Sequence, residues 1–180
     1  GSVAQKVIAL GSLPVLIIRP DEKGDVPPFS CTSILVPLDG SKDHEQALPV
    51  ARALAEACAA VLNLMMVIPS FGTLSGPMTV TSRLLPGTTS QMLELSVEEA
   101  EVYLAAQREA LERDGFTGSD RVRRGDPAHA IDEGARQLRV DVIVLATHGK
   151  TGAEGFWAGS VTHKLCSCCN LPLLLVPVVR

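Results

Sequence analysis

From residue 32 onward, short apolar runs alternate with stretches in which apolar residues recur every three or four positions. ILVPL (residues 34–38) has the length of a strand and ends in Asp39-Gly40-Ser41, where Ser41 offers an oxygen to the first free N–H groups of a following helix. Ala47, Val50, Ala51, Leu54 and Cys58 give that helix one apolar face, and Pro49 is expected to kink it or delay its regular start. VLNLMMVI (61–68) predicts the second strand, and the Gly-, Pro-, Ser- and Thr-rich segment 69–89 reads as a long mobile loop. Leu93, Val97, Ala100, Leu104 and Leu111 predict a long helix over 91–114 with one buried stripe, closed by Gly115. A polar third strand is predicted near 120–124, and Gly125-Asp126-Pro127 starts a helix with proline pre-set in its first turn. VDVIVLAT (140–147) is apolar enough to be covered on both faces, and a helix over 159–169 leads to a fifth strand at 172–178.

Strands joined by helices of this length must lie parallel, because only parallel neighbours need such crossovers. The expected class is therefore α/β, a doubly wound parallel sheet. Sheets of this kind bind ligands beyond the carboxyl ends of their strands, where the strand order reverses. Two loops qualify: Asp39-Gly40-Ser41 after the first strand, and the Gly-rich stretch after the fourth.

The opening of the chain does not fit a single βα series. Residues 1–20, GSVAQKVIALGSLPVLIIRP, reappear in altered form at 159–178, GSVTHKLCSCCNLPLLLVPV, at a constant offset of 158 with seven identities in 20 pairs. Without Gly1-Ser2, five identities stand in 18 pairs. Each copy reads as a helical stretch, a Leu-Pro break and a buried strand. Residues 1–20 are thus expected to be the tail of a preceding domain, 21–31 a Pro-rich charged linker, and 32–180 a complete domain of the same type. Leu13 to Ile18 is apolar throughout, and an unpaired strand of that kind is sticky. It is expected to add to the edge formed by 172–178, within the chain or across a dimer.

A formal net charge of −4 and 3% aromatic residues leave neither the phosphate-neutralising charge nor the stacking surfaces of a nucleic-acid binder. Arg121, Arg123 and Arg124 read as a charged sheet edge that resists aggregation. The longest apolar run, 171–179, is short and holds Pro172 and Pro177, so no membrane span is expected. Five cysteines, an odd number with three crowded at Cys166, Cys168 and Cys169, suit a reducing compartment, and a cytoplasmic location is expected.

The chemistry gathers in ATHGKTGAEGFWAGSVTHK, residues 146–164. Gly149 and Gly159 let backbone N–H groups approach an anion closely, and a helix beginning beside Gly159-Ser160 turns its positive end toward it. Ser160, Thr147, His148 and Lys150 add side-chain donors, Lys150 adds charge, and Asp39 at the neighbouring strand end suits a ribose. Singly, Gly149 is a turn former, Ser160 a helix cap and Asp39 a loop carboxylate; their placement at two adjacent strand ends favours a site. His163, Cys166 and Cys169 lie three apart on one helix, where buried small thiols are a commoner reading than a metal site, and Met65 and Met66 read as core filler. Trp157 reads as a packing residue or a ligand cover. No glycine precedes Gly149 at P-loop spacing, and nothing is arranged to orient His148 as a base, so efficient catalysis is not expected.

VPLDGS (36–41), GDPAHAI (125–131), VDVIVLATHGKTG (140–152) and GSVTHK with LPLLLVP (159–177) together resemble the universal stress protein family. The resemblance implies a five-stranded parallel sheet in the order 3-2-1-4-5. In the nucleotide-binding branch it implies ATP, or another adenine nucleotide, with Mg2+, held by a G-x2-G-x9-G-[S/T] motif. That motif falls on Ala146, Gly149, Gly159 and Ser160, so alanine stands at the first glycine. By the same resemblance Asp39 meets the ribose, Pro37 and Val67 line the adenine pocket, and Gly149, Lys150, Gly159, Ser160 and Val161 surround the phosphates. It also implies pairing through the fifth strand, as a homodimer or as a tandem pseudo-dimer, and a stress-response role with an unidentified protein partner. A nucleotide-free dimerisation module and a slow ATPase are the alternatives.

Overall fold

The computed structural model of the chain describes residues 12–20, 23–26, 28–148 and 161–178. Its strands are β1 (Val15–Ile17), β2 (Ser33–Leu38), β3 (Val61–Ile68), β4 (Asp120–Arg124), β5 (Val142–His148) and β6 (Leu173–Val178). Between them lie the helices α1 (Lys42–Glu45), α2 (Ala47–Cys58), α3 (Pro77–Leu84), α4 (Pro86–Arg113), α5 (Pro127–Leu138) and α6 (Val161–Cys168).

The strands form one sheet in the order β1-β6-β5-β2-β3-β4. β2 through β6 run parallel to their neighbours, whereas β1 lies antiparallel on β6. The sheet is therefore six-stranded and mixed, which corrects the expectation of five parallel strands. The difference is the tail strand, which covers an edge that β6 would otherwise leave open.

The central strands are buried on both sides, as the unbroken apolar runs require: Ile34, Leu35 and Val36 of β2 and Val142, Ile143 and Val144 of β5 have no exposed surface. Ala47, Ala51 and Ala55 of α2 pack with Leu104 and Leu111 of α4 over Ile34, Val36, Leu64 and Val144. On the other face, Ala128, Ile131 and Ala135 of α5 and Leu165 of α6 cover Leu35, Met65, Ile143 and Leu175. Val15 and Ile17 join this second layer, and the Arg19 guanidinium donates to the Cys166 carbonyl near the end of α6. No helix among the described residues is long and apolar enough to cross a membrane.

Two segments depart from the sequence pattern. The helix expected from Ser41 divides into α1 and α2, with Ser41 capping α1 and Pro49 in the first turn of α2, where a missing N–H leaves no helical bond unmade. The mobile loop expected over 69–89 contains a single 3-10 turn (Phe71–Thr73), then α3 and the beginning of α4. Pro77 and Pro86 are the first residues of those helices, so the prolines that suggested a loop start helices instead.

Candidate functional site

β2 and β5 pair through Ile34↔Val142 and Leu35↔Ile143 only, while β2 stays in register with β3 through Leu38. Past that short ladder the two central strands part. β2 leads to helices on one face of the sheet and β5 to α6 on the other, so the crevice between their carboxyl ends is a topological switch point. A cavity of about 390 Å³ occupies it. Pro37, Leu38 and Asp39 come from β2 and its end, Met65 and Val67 from β3, and Leu145, Ala146 and Thr147 from β5. Pro127 and Ile131 of α5, Val161 and Thr162 of α6, and His44 of α1 also line it.

Among the described residues the lining is largely apolar, and its titratable groups are Asp39 and His44. Oδ1 of Asp39 accepts from the Ser41 backbone N–H at 2.9 Å, and Oδ2 lies 2.7 Å from Nδ1 of His44. The His44 hydrogen bond, with help from Ser41, holds the Asp39 carboxyl well below the usual carboxylate range although partial burial opposes this. The same bond raises the His44 imidazole above its ordinary value of 6.5, against its own desolvation, and the nearby Asp43 charge adds to the rise. Asp39 therefore stands ionised at the cavity mouth with acceptor capacity to spare: each carboxylate oxygen has two lone-pair sites.

Of the residues expected to form a site, Pro37, Asp39, Val67, Ala146, Thr147 and Val161 line this one cavity. His148 is the last residue of β5. Gly149, Lys150, Gly159 and Ser160 lie outside the described residues, as do Trp157 and the opening helical stretch of the tail. His44 went unmarked by the sequence pattern, since it occupies a four-residue helix with no buried stripe. Met65 is core filler and cavity wall at once: it has no exposed surface and still lines the hollow. Pro127 and Ile131 were within reach of sequence reasoning, because GDPAHAI opens the helix that faces β3 and β5.

Other candidates lack comparable chemistry. A hollow of about 870 Å³ beside the C-terminal end of α2 holds Arg52, but its guanidinium already bonds Asp114 and sits 5.4 Å from the Phe116 ring centroid. Among the described residues, no group of three His, Cys, Asp or Glu side chains is placed to hold a metal ion. Cys169 is fully buried, and burial pushes its thiol up to about 11, away from the thiolate a metal requires.

The sequence model of the universal stress protein family matches residues 31–177. Universal stress protein MJ0577 of Methanocaldococcus jannaschii is 28% identical over 151 residues, spanning 79% of this chain and 93% of that protein. The solved structure of MJ0577 superposes with a TM-score of 0.66 over 83% of this chain and 97% of its own. A universal stress protein solved in complex with cAMP shares the fold at 19% identity, with a TM-score of 0.61 over 82% of this chain and 98% of its own. A universal stress protein from Archaeoglobus fulgidus, 18% identical with a TM-score of 0.66, matches 98% of this chain but only 55% of its own length.

Proposed function

The chain belongs to the universal stress protein family, and from that premise we propose that it is a stress-response module of the nucleotide-binding branch. It holds ATP or another adenine nucleotide, with Mg2+, and does not turn it over efficiently. The observation that carries this reading is the switch-point cavity with ionised Asp39 at its mouth. Pro37, Met65 and Val67 offer an apolar slot for a flat base, and Asp39 offers acceptors for the ribose hydroxyls. Thr147 and Val161 line the cavity and stand, in sequence, close to the Gly149–Lys150 and Gly159–Ser160 donors of the motif. A protein of the same fold has been solved with cAMP, an adenine nucleotide.

Thermal unfolding in the presence of magnesium-ATP tests the reading. A ligand that binds only the folded state raises the melting temperature in proportion to the logarithm of its concentration. The rise is expected in the native chain and is expected to vanish in Asp39→Ala and Gly149→Val. No rise at millimolar nucleotide favours the nucleotide-free module, which the Ala146 methyl at the first motif glycine also supports. Multiple turnovers that disappear in Ser160→Ala would instead make the protein a slow ATPase.

We infer further that residues 1–20 are the last helix and strand of a preceding domain, so that the chain forms one side of a tandem pseudo-dimer. The register supports this. Under the repeat offset of 158, Leu16 corresponds to Leu174, and these two residues face each other directly. Val15 pairs with Leu175, the counterpart of Ile17, and Ile17 pairs with Leu173, the counterpart of Val15. A two-fold axis through the Leu16/Leu174 pair produces just such reciprocal contacts. A cysteine pair at Leu16→Cys and Leu174→Cys should oxidise within one chain. A bond found only between chains would assign the contact to a homodimer.

A further inference from the structure

α4 is 28 residues long and carries two apolar stripes, of which the fold uses one. Thr89, Leu93, Ala100, Leu104 and Leu111 are buried against the sheet. On the solvent side of α4, Thr88, Met92, Leu95, Glu99 and Val102 follow one another at alternating steps of four and three residues, the spacing of a heptad seam, and Leu85, the residue just before the helix, stands in step with them in sequence. Its apolar members are open: Leu85 is 55% exposed, Leu95 56% and Val102 72%. α3 adds Val80 and Leu84, four residues apart on one face and likewise exposed. Isolated exposed apolar residues need no explanation, but a seam with helical periodicity over several turns marks an interaction surface.

The charges around the seam select what lies on it. Between Arg83 and Arg108 the chain carries Glu94, Glu98, Glu99 and Glu101 and no Lys, Arg or His. Glu94, Glu98 and Glu101 run along one flank of the seam, and Glu99 lies within it. Two copies of this face would bring like charges together, and an anionic bilayer would be repelled by the same carboxylates. A helix with an apolar stripe bordered by Lys or Arg meets both features: its stripe covers Met92, Leu95 and Val102, and its cations face the glutamates. We propose that the exposed face of α4 is the docking site for a basic amphipathic helix of a partner protein.

The probe is a fluorescein-labelled helical peptide of about 18 residues with a leucine heptad stripe flanked by lysines, compared with its glutamate-flanked counterpart. Fluorescence anisotropy on the intact chain should give at least about tenfold tighter binding for the lysine peptide. Leu95→Glu with Val102→Glu should weaken that binding about tenfold. Net charge acting alone predicts the opposite, since these substitutions add two negative charges, so tighter binding to the double variant overturns the proposal. Glu94→Lys with Glu98→Lys and Glu101→Lys should reverse the preference between the two peptides. All five positions are exposed, and a far-ultraviolet spectrum and melting curve of each variant establish that it is folded. Equal affinity for both peptides overturns the proposal. So does concentration-dependent self-association of the native chain that Leu95→Glu abolishes, or adsorption to phosphatidylserine vesicles that it abolishes.

Discussion

Asp39 and His44 are the residues in which the chemistry of the site can be followed without a ligand. A carboxyl whose folded pKa lies below its ordinary 3.8 stabilises the fold above that pH, and the contribution is lost as pH falls through the folded value. An imidazole whose folded pKa lies above 6.5 stabilises the fold below 6.5, and its contribution is lost as pH rises through the folded value. The pair therefore contributes most between 3.8 and 6.5. The Asp39 and His44 side chains are 53% and 30% exposed, so solvent screening keeps the stabilisation to about 1 kcal/mol or less. Paired melting curves of the native protein and His44→Ala across pH should show the largest gap inside that window, closing as pH rises above 6.5 through the folded value of the imidazole. A gap that instead widens as pH rises above 6.5 contradicts the assigned ion pair. Asp43 contributes to the raised imidazole as well, so Asp43→Asn should shift the closing of the gap to lower pH without abolishing it.

At the scale of elements, the strands and amphipathic helices were legible because one strong signal, the period of the apolar residues, controls both. ILVPL and VDVIVLAT could be recognised as central strands because burial on two faces leaves no polar alternation to confuse them. The segment 69–89 was illegible for a specific reason: Pro77 and Pro86 have the same composition signature whether they end structure or begin a helix. The two halves of the site differ in the same way. Pro37, Asp39 and Ala146 sit at strand ends whose positions the apolar runs fix, whereas His44 depends on a turn of helix that no periodicity announces. Gly118 is a further silent position. A Cβ there would lie 1.6 Å from the Leu62 carbonyl oxygen, so the chain leading into β4 can run against β3 only if this residue is glycine. Nothing in the local sequence distinguishes it from an ordinary loop glycine.

At the scale of the whole molecule, the antiparallel strand decides which surfaces the sheet leaves open. β4 closes one end with Arg121, Arg123 and Arg124, whose charges discourage further strand addition. β6 carries no such charges: it reads LLLVPV, and β1 pairs along it through Leu173, Leu174 and Leu175. The repeat makes β6 self-complementary as well, because a strand that pairs reciprocally with its own diverged copy can pair with an identical one. Val15 and Ile17 anchor β1 by packing on the layer formed by α5 and α6, so Val15→Asp with Ile17→Asp should detach it. The freed β6 edge is then expected to recruit the β6 of a second molecule. Sedimentation velocity of the double variant should show a larger dimer fraction than the native chain at the same concentration, and Leu174→Lys added to the double variant should lower it again by setting two ammonium groups opposite each other at the axis. A double variant that stays folded and monomeric across a concentration series means that β6 is protected by something other than β1, and the pseudo-two-fold contact is then not what closes the sheet.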